Sequence, residues 1–239
     1  MDKKDTVRLI MDYMHRAMMH HAMWYAEVQH QLGREKAFDI LKAVCDRSFN
    51  IQLKRLSKKL EFEMDEDIPV PLLNMSDEKL AVLKESISAN WLANDGVWFQ
   101  AVEFTRGMND AKRCNDSCWG QFSPFEAWSI KRFLNMPGKP GLEGLKNALG
   151  YRLYAAVNVQ SISDETPDSF IFRMNTCRVQ YARNRKGLDD YPCKSGGTVE
   201  FTTFAETIDP DIKTECIGCP PDKHPKEWYC SWKFTLERE

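Results

Sequence analysis

The chain has 239 residues, 43% apolar and 11% aromatic, with 28% charged and a formal net charge of −2. That apolar content supports a buried core and excludes a disordered chain, and the near-neutral charge gives no general attraction to nucleic acid or an anionic membrane. No apolar run approaches the roughly 20 residues of a membrane-spanning helix, and no signal-peptide core follows Met1-Asp-Lys-Lys-Asp, so a soluble cytoplasmic protein is expected.

Apolar residues at Val7, Met11, Met14, Met18, Tyr25 and Val28 recur in three- and four-residue steps and predict a helix over about 5–31. Gly33 punctuates, and a second helix is expected over about 34–63. Ile68-Pro-Val-Pro-Leu reads as an extended linker, because each proline removes a donor and restrains its predecessor. Ser76 before Asp77 and Glu78 is a helix start with acids in the first turn. Helix is predicted from there to Trp91, after Asn94 to about Lys112, and again over 122–134; Pro137-Gly-Lys-Pro-Gly then precedes a short helix ending near Leu149.

The period changes near residue 150. Leu153, Ala155, Val157 and Val159 alternate, as do Phe170, Phe172 and Met174, with Thr166-Pro-Asp as the turn between two strands. Gly187 and Pro192 mark a loop, Phe201, Phe204, Ala205 and Ile208 share a helical face, and 212–217 with 227–236 make a second hairpin. The class is α+β: a multi-helix half over 1–150, then a β-β-α-β-β antiparallel half over 151–239 with a cysteine-rich terminal hairpin, forming one compact domain. His21-Ala-Met-Trp24-Tyr-Ala-Glu-Val28 is echoed 74 positions later by Asp95-Gly-Val-Trp98-Phe-Gln-Ala-Val102, and Gly33 and Ala37 by Gly107 and Ala111. The echo predicts a duplicated helical hairpin, its copies packed about a pseudo-twofold axis.

Five of the eight cysteines fall in the last 63 residues. Cys216-x-x-Cys219 on a tight turn aims two thiols at one point, and Cys230 returns on the next strand; Cys193 opens a helix and Cys177 precedes it. Reduced thiols in that pattern suit a tetrahedral soft-metal site, with zinc expected and an iron–sulfur cluster as the rival. Glu215 and His224 are substitute ligands in the same region. Arg178 and Arg183 flank two of the cysteines and offer forks to an anionic ligand. On the helical repeat, His21 and Asp95 occupy matching positions on apolar stripes and are expected to meet, with Trp24 and Trp98 lining a pocket. Cys45 reads as a core thiol, and Cys114-x-x-x-Cys118 as two thiols on one helix face.

The run Cys177-Arg-Val-Gln-Tyr-Ala-Arg183 through Pro192-Cys193-Lys, Phe204-Ala, Cys216-x-x-Cys219-Pro-Pro-Asp and Cys230-x-Trp-x-Phe resembles a family of uncharacterised prokaryotic cytosolic proteins. More distantly, the terminal hairpin is similar to vinyl-4-reductase domains, and the order of cysteines near 177 and 193 with Cys230-x-Trp-x-Phe is similar to the L-2-amino-thiazoline-4-carboxylic acid hydrolase family. These resemblances imply a metal beside a small-molecule pocket, with Cys193, Cys216 and Cys230 the best-matched ligands. The hydrolase family's acidic residue after the second cysteine is replaced here by Lys194-Ser-Gly-Gly.

The expected function is therefore a zinc-holding, small-molecule-binding protein. The alternatives are a hydrolase cleaving a C–N bond through metal-activated water or a nucleophilic Cys177 or Cys193, and an iron–sulfur redox protein. By analogy of fold a homodimer is expected; neither nucleic acid nor membrane is an expected partner.

Overall fold

The computed structural model describes residues 1–237. The chain forms two compact units, residues 1–75 and a second beginning at Ser76. The change of period near residue 150 falls inside the second unit.

The first unit is a helical hairpin, α1 (Lys3–Leu32) and α2 (Arg34–Leu60), followed by two short antiparallel strands, β1 (Met64–Asp65) and β2 (Ile68–Pro69), and a single turn of helix, α3 (Val70–Leu73). The expected linker thus contributes β2 and, from its second half, α3. Asp2 caps α1 by accepting from the Asp5 backbone N–H, and α1 ends at Gly33, whose φ of 84° and ψ of 164° lie in a region open essentially to glycine alone.

The second unit opens on a hairpin built to the same plan. Ser76 caps α4 (Asp77–Arg106) by accepting from the Lys79 N–H, and Gly107, at φ 92° and ψ 168°, turns the chain into α5 (Met108–Phe133). Caps, helix starts and glycine turns recur at the 74-residue offset, α1 and α4 are both 30 residues long, and both turn glycines donate to the carbonyl four residues back, Gln29 and Glu103. The duplication read from the sequence is present in the backbone.

Two expected breaks are absent. Asn94 lies inside α4, because the conformational freedom to turn sits at Gly107 rather than at Asn94. α5 also runs unbroken through 113–121, between the helices expected to end near Lys112 and to start at 122, because its buried stripe, Ala111, Asn115, Trp119, Ser123, Ala127 and Ile130, continues at helical spacing.

Helix α6 (Gly141–Gly150) and a 3-10 turn (Leu153–Ala156) lead to the sheet. The turn replaces part of the strand expected over 153–159: the Leu153 N–H donates to Glu126 Oε1 at 2.9 Å, which ties the segment to α5 and delays the strand. The strands β3 (Gln160–Thr166), β4 (Ser169–Met174), β5 (Ile212–Gly218) and β6 (Cys230–Leu236) form one antiparallel sheet in the order β3-β4-β6-β5. Between the two hairpins lie α7 (Arg178–Arg185), in what reads from sequence as strand end and loop, and α8 (Lys194–Ile208). Together these elements make the expected α+β fold, with a second helix inserted in the β-β-α-β-β order.

The core sits between sheet and helices. Phe170, Phe172 and Met174 of β4 and Trp232 and Phe234 of β6 pack with Phe201, Phe204, Ala205 and Ile208 of α8, joined by Ala127 of α5 and Leu145 and Leu149 of α6. At roughly 1.5–3 kcal/mol per fully buried large side chain, this cluster supplies the main stabilising term of the second unit. No helix among the described residues is long and apolar enough to cross a membrane.

Candidate functional site

Four cysteines converge at one end of this core, delivered by separate elements. Cys177 precedes α7, Cys193 precedes α8, Cys219 follows β5 and Cys230 begins β6. Three backbone contacts hold these elements together. The Lys194 N–H donates to Pro220 O at 2.9 Å, the Asp222 N–H to Cys219 O at 2.9 Å, and the Tyr229 N–H to Met174 O at 2.8 Å. The glycines of Lys194-Ser-Gly-Gly allow the close approach: a Cβ on Gly197 would stand 2.7 Å from the Trp232 ring and 3.8 Å from Cys219 Sγ.

Cys219 is the centre of the cluster, with 1% of its surface exposed. Hydrogen bonding to the sulfurs of Cys193 and Cys230, followed by burial, pushes its thiol far above the ordinary range. Burial first, then the neighbouring Cys193, pushes Cys177 up to about 12. Cys216, on β5 just before a bulge, packs on the same core and feels Cys230 as well as Lys194 and Asp222, but it does not line the adjoining cavity. All eight cysteines are free thiols. Among the described residues no three His, Cys, Asp or Glu side chains are disposed around one point as metal ligands.

Gln180 fixes Cys193. Its side-chain carbonyl accepts from the Tyr191 N–H at 2.9 Å, and its amide nitrogen donates to Tyr191 O at 2.8 Å and lies 3.0 Å from Cys193 Sγ. Gln180 is fully buried, so this is a locked clamp on residues 191–193.

The thiols open onto a cavity of about 380 Å³. Its walls are aromatic: Trp119 stacks on Tyr154 with ring centroids 5.7 Å apart, and Phe99 meets Tyr191 edge-on at 4.9 Å. Behind one wall the buried Arg152 guanidinium bridges two carboxylates, reaching Glu126 at 2.9 Å and Glu200 at 2.6 Å. A volume of this size, with apolar walls and a few fixed polar groups, is that of a small-molecule site.

The other expected site residues are placed as follows. Asp95 lines the cavity. Trp98, one position off the buried stripe, is 61% exposed, and Phe99 takes the wall position instead. His21 and Trp24 belong to the first unit and are exposed. Arg183 lines the cavity but is already engaged: its two terminal nitrogens reach the Glu103 carboxylate at 2.9 Å each, and its Nε donates to Asp189 O. Arg178 is exposed, 3.7 Å from Glu85. His224 is exposed beside Pro225 O, and Cys114 and Cys118 are exposed on α5.

Trp119, Tyr154, Tyr191, Gln180 and Glu200 were not among the expected site residues. Two of them carried a local signal. Trp119 follows Ala111 and Asn115 at four-residue steps, and Glu200 is an acid flanked by Val199 and Phe201. Tyr154, Tyr191 and Gln180 carry none, because contacts between distant segments bring them to the site.

Residues 73–236 match a family described as of unknown function, DUF6125. The match spans well over half of the chain, and the chain belongs to that family. It covers the second hairpin and the sheet with every cysteine of the cluster, and stops short of the first hairpin. No curated protein matches the chain.

Proposed function

We propose that this member of the DUF6125 family is a zinc-binding module in which Cys177, Cys193, Cys219 and Cys230 hold the metal at the floor of a small-molecule cavity. The observation that carries the reading is a fully buried Cys219 with Cys193 and Cys230 against it and Cys177 beside those two, four thiols from four elements. Free thiols gathered there share protons; a soft divalent cation would displace those protons and let all four sulfurs act as thiolate ligands. The clamp from Gln180 and the helix start at Cys193 then serve as the outer shell that orients one ligand. The inferred placement of a metal beside a ligand pocket matches what the vinyl-4-reductase resemblance implies, and a reducing, cytoplasmic setting keeps the thiols available.

Hydrolysis of a C–N bond is the second reading, favoured by one feature: the cysteines line the open cavity, so a ligand there stands next to the metal. A three-thiolate site with a water in the fourth position would serve that chemistry.

The test is elemental analysis and a visible spectrum on protein purified without chelator. One equivalent of zinc, no colour, loss of the metal in Cys219→Ser and retention in Cys45→Ser are expected. Full metal in Cys219→Ser, or no metal with every thiol titratable, sinks the proposal, and iron with charge-transfer absorption replaces it by cluster chemistry.

A further inference from the structure

Of the two carboxylates that line the cavity, Glu200 and Asp95, only Glu200 has a partner among the described residues. Glu200 is held by Arg152 at 2.6 Å, Arg183 by Glu103 at 2.9 Å, and Lys186 donates to Gln100 at 3.2 Å. Lys112, the cation whose field reaches Asp95, is itself taken up by Asp116 at 2.8 Å and the Tyr191 hydroxyl at 2.9 Å. Asp95 lies on the inward stripe of α4 between the buried Leu92 and Phe99, and it lines the cavity. None of the described residues forms a hydrogen bond or ion pair with it. Burial pushes its carboxyl above the ordinary range, with Lys112 opposing.

A carboxylate turned toward an apolar cavity without a partner costs free energy that a ligand can recover. The surrounding surfaces suit a cation as well: Phe99, Trp119, Tyr154 and Tyr191 present aromatic rings around the same space. Arg178 and Arg183, which on sequence alone suggest an anionic ligand, are paired with Glu85 and Glu103.

We propose that the cavity takes an organic amine, its protonated nitrogen against the Asp95 carboxylate and its apolar body between Trp119, Tyr154, Phe99 and Tyr191. This rests on reading the cavity as a small-molecule site, and it names the ligand class for that site.

The experiment compares three probes of one shape on the zinc-loaded full chain by calorimetric titration: 2-phenylethylamine, 2-phenylethanol and 3-phenylpropionate. The amine is expected to bind about tenfold or more tighter than the alcohol, and the carboxylate weakest. Asp95→Asn should erase the amine's advantage with zinc content unchanged. Equal or tighter binding of the alcohol or carboxylate, no binding of any probe, or an advantage that survives Asp95→Asn overturns the proposal. Should the Asn variant not fold, the ranking of the probes on the native chain decides. Zinc content on the same samples separates the two readings. Amine preference without metal sinks the metal site alone, and metal without amine preference sinks the ligand class alone.

Discussion

Glu200 shares a single guanidinium with Glu126, and one positive charge cannot neutralise two buried carboxylates. Burial, offset only in part by Arg152, pushes the Glu200 carboxyl from 4.5 up to about 6. The folded chain therefore holds this proton more tightly than the unfolded chain. The resulting stabilisation is complete below about pH 4.5 and is lost as the pH rises through about 6, a change of about 2 kcal/mol. Glu200→Gln keeps an acceptor for Arg152 and removes the titration. Urea unfolding of the two chains should show the native chain losing about 2 kcal/mol relative to the variant between pH 4.5 and 7. A difference that stays constant across that range would mean Glu200 is charged in the folded state at pH 4.5.

At the scale of elements, both helical hairpins turn on a glycine held at positive φ, Gly33 and Gly107, with open space around each Cβ position. Replacement by alanine there meets no atom, so its cost is that of the backbone alone, about 1–3 kcal/mol. Gly96, inside α4 with nothing within 4 Å of where a Cβ would stand, tests the opposite case, because alanine there restricts the unfolded chain and favours helix. Thermal melts should place Gly107→Ala below the native chain and Gly96→Ala above it by up to about 1 kcal/mol. A Gly107→Ala chain that melts with the native one would contradict the strained turn. The same pair of turns explains why the break expected at Asn94 is absent: three- and four-residue spacing locates a helix, but only a residue that can leave the helical region ends it.

On the scale of the whole molecule, the second unit carries its own core and every residue of the thiol cluster and cavity, and the family match begins close to its start. A chain beginning at Ser76 is expected to unfold cooperatively and, under the proposed function, to hold the same equivalent of zinc as the full chain. Circular dichroism melts and metal analysis check this. A non-cooperative fragment, or one that loses its zinc, would mean that residues 1–75 complete the site. The first unit exposes large apolar side chains, Met18 at 64% and Phe49 at 62% among them, so its removal should also raise solubility.

The sequence by itself determined what is local. Three- and four-residue spacing placed the first long helix, a two-residue alternation placed β4, and the 74-residue echo announced a duplicated helical hairpin down to its glycine turns. It also gathered the cysteines into the C-terminal region, because Cys216, Cys219 and Cys230 belong to one hairpin. Only the tertiary structure decided which thiols meet. Cys193 joins Cys219 through the Lys194–Pro220 backbone contact, whereas Cys216, three residues from Cys219 and before a bulge, does not line the cavity. It likewise decided that Phe99 rather than Trp98 faces the cavity, a rotation of about 100° on one helix. Arg183 is neutralised by Glu103, 80 positions away, which no periodicity can report, and Asp95 is left as the carboxylate with no partner among the described residues. Spacing along a chain fixes which face of an element a residue occupies; the packing of distant elements fixes what that face meets.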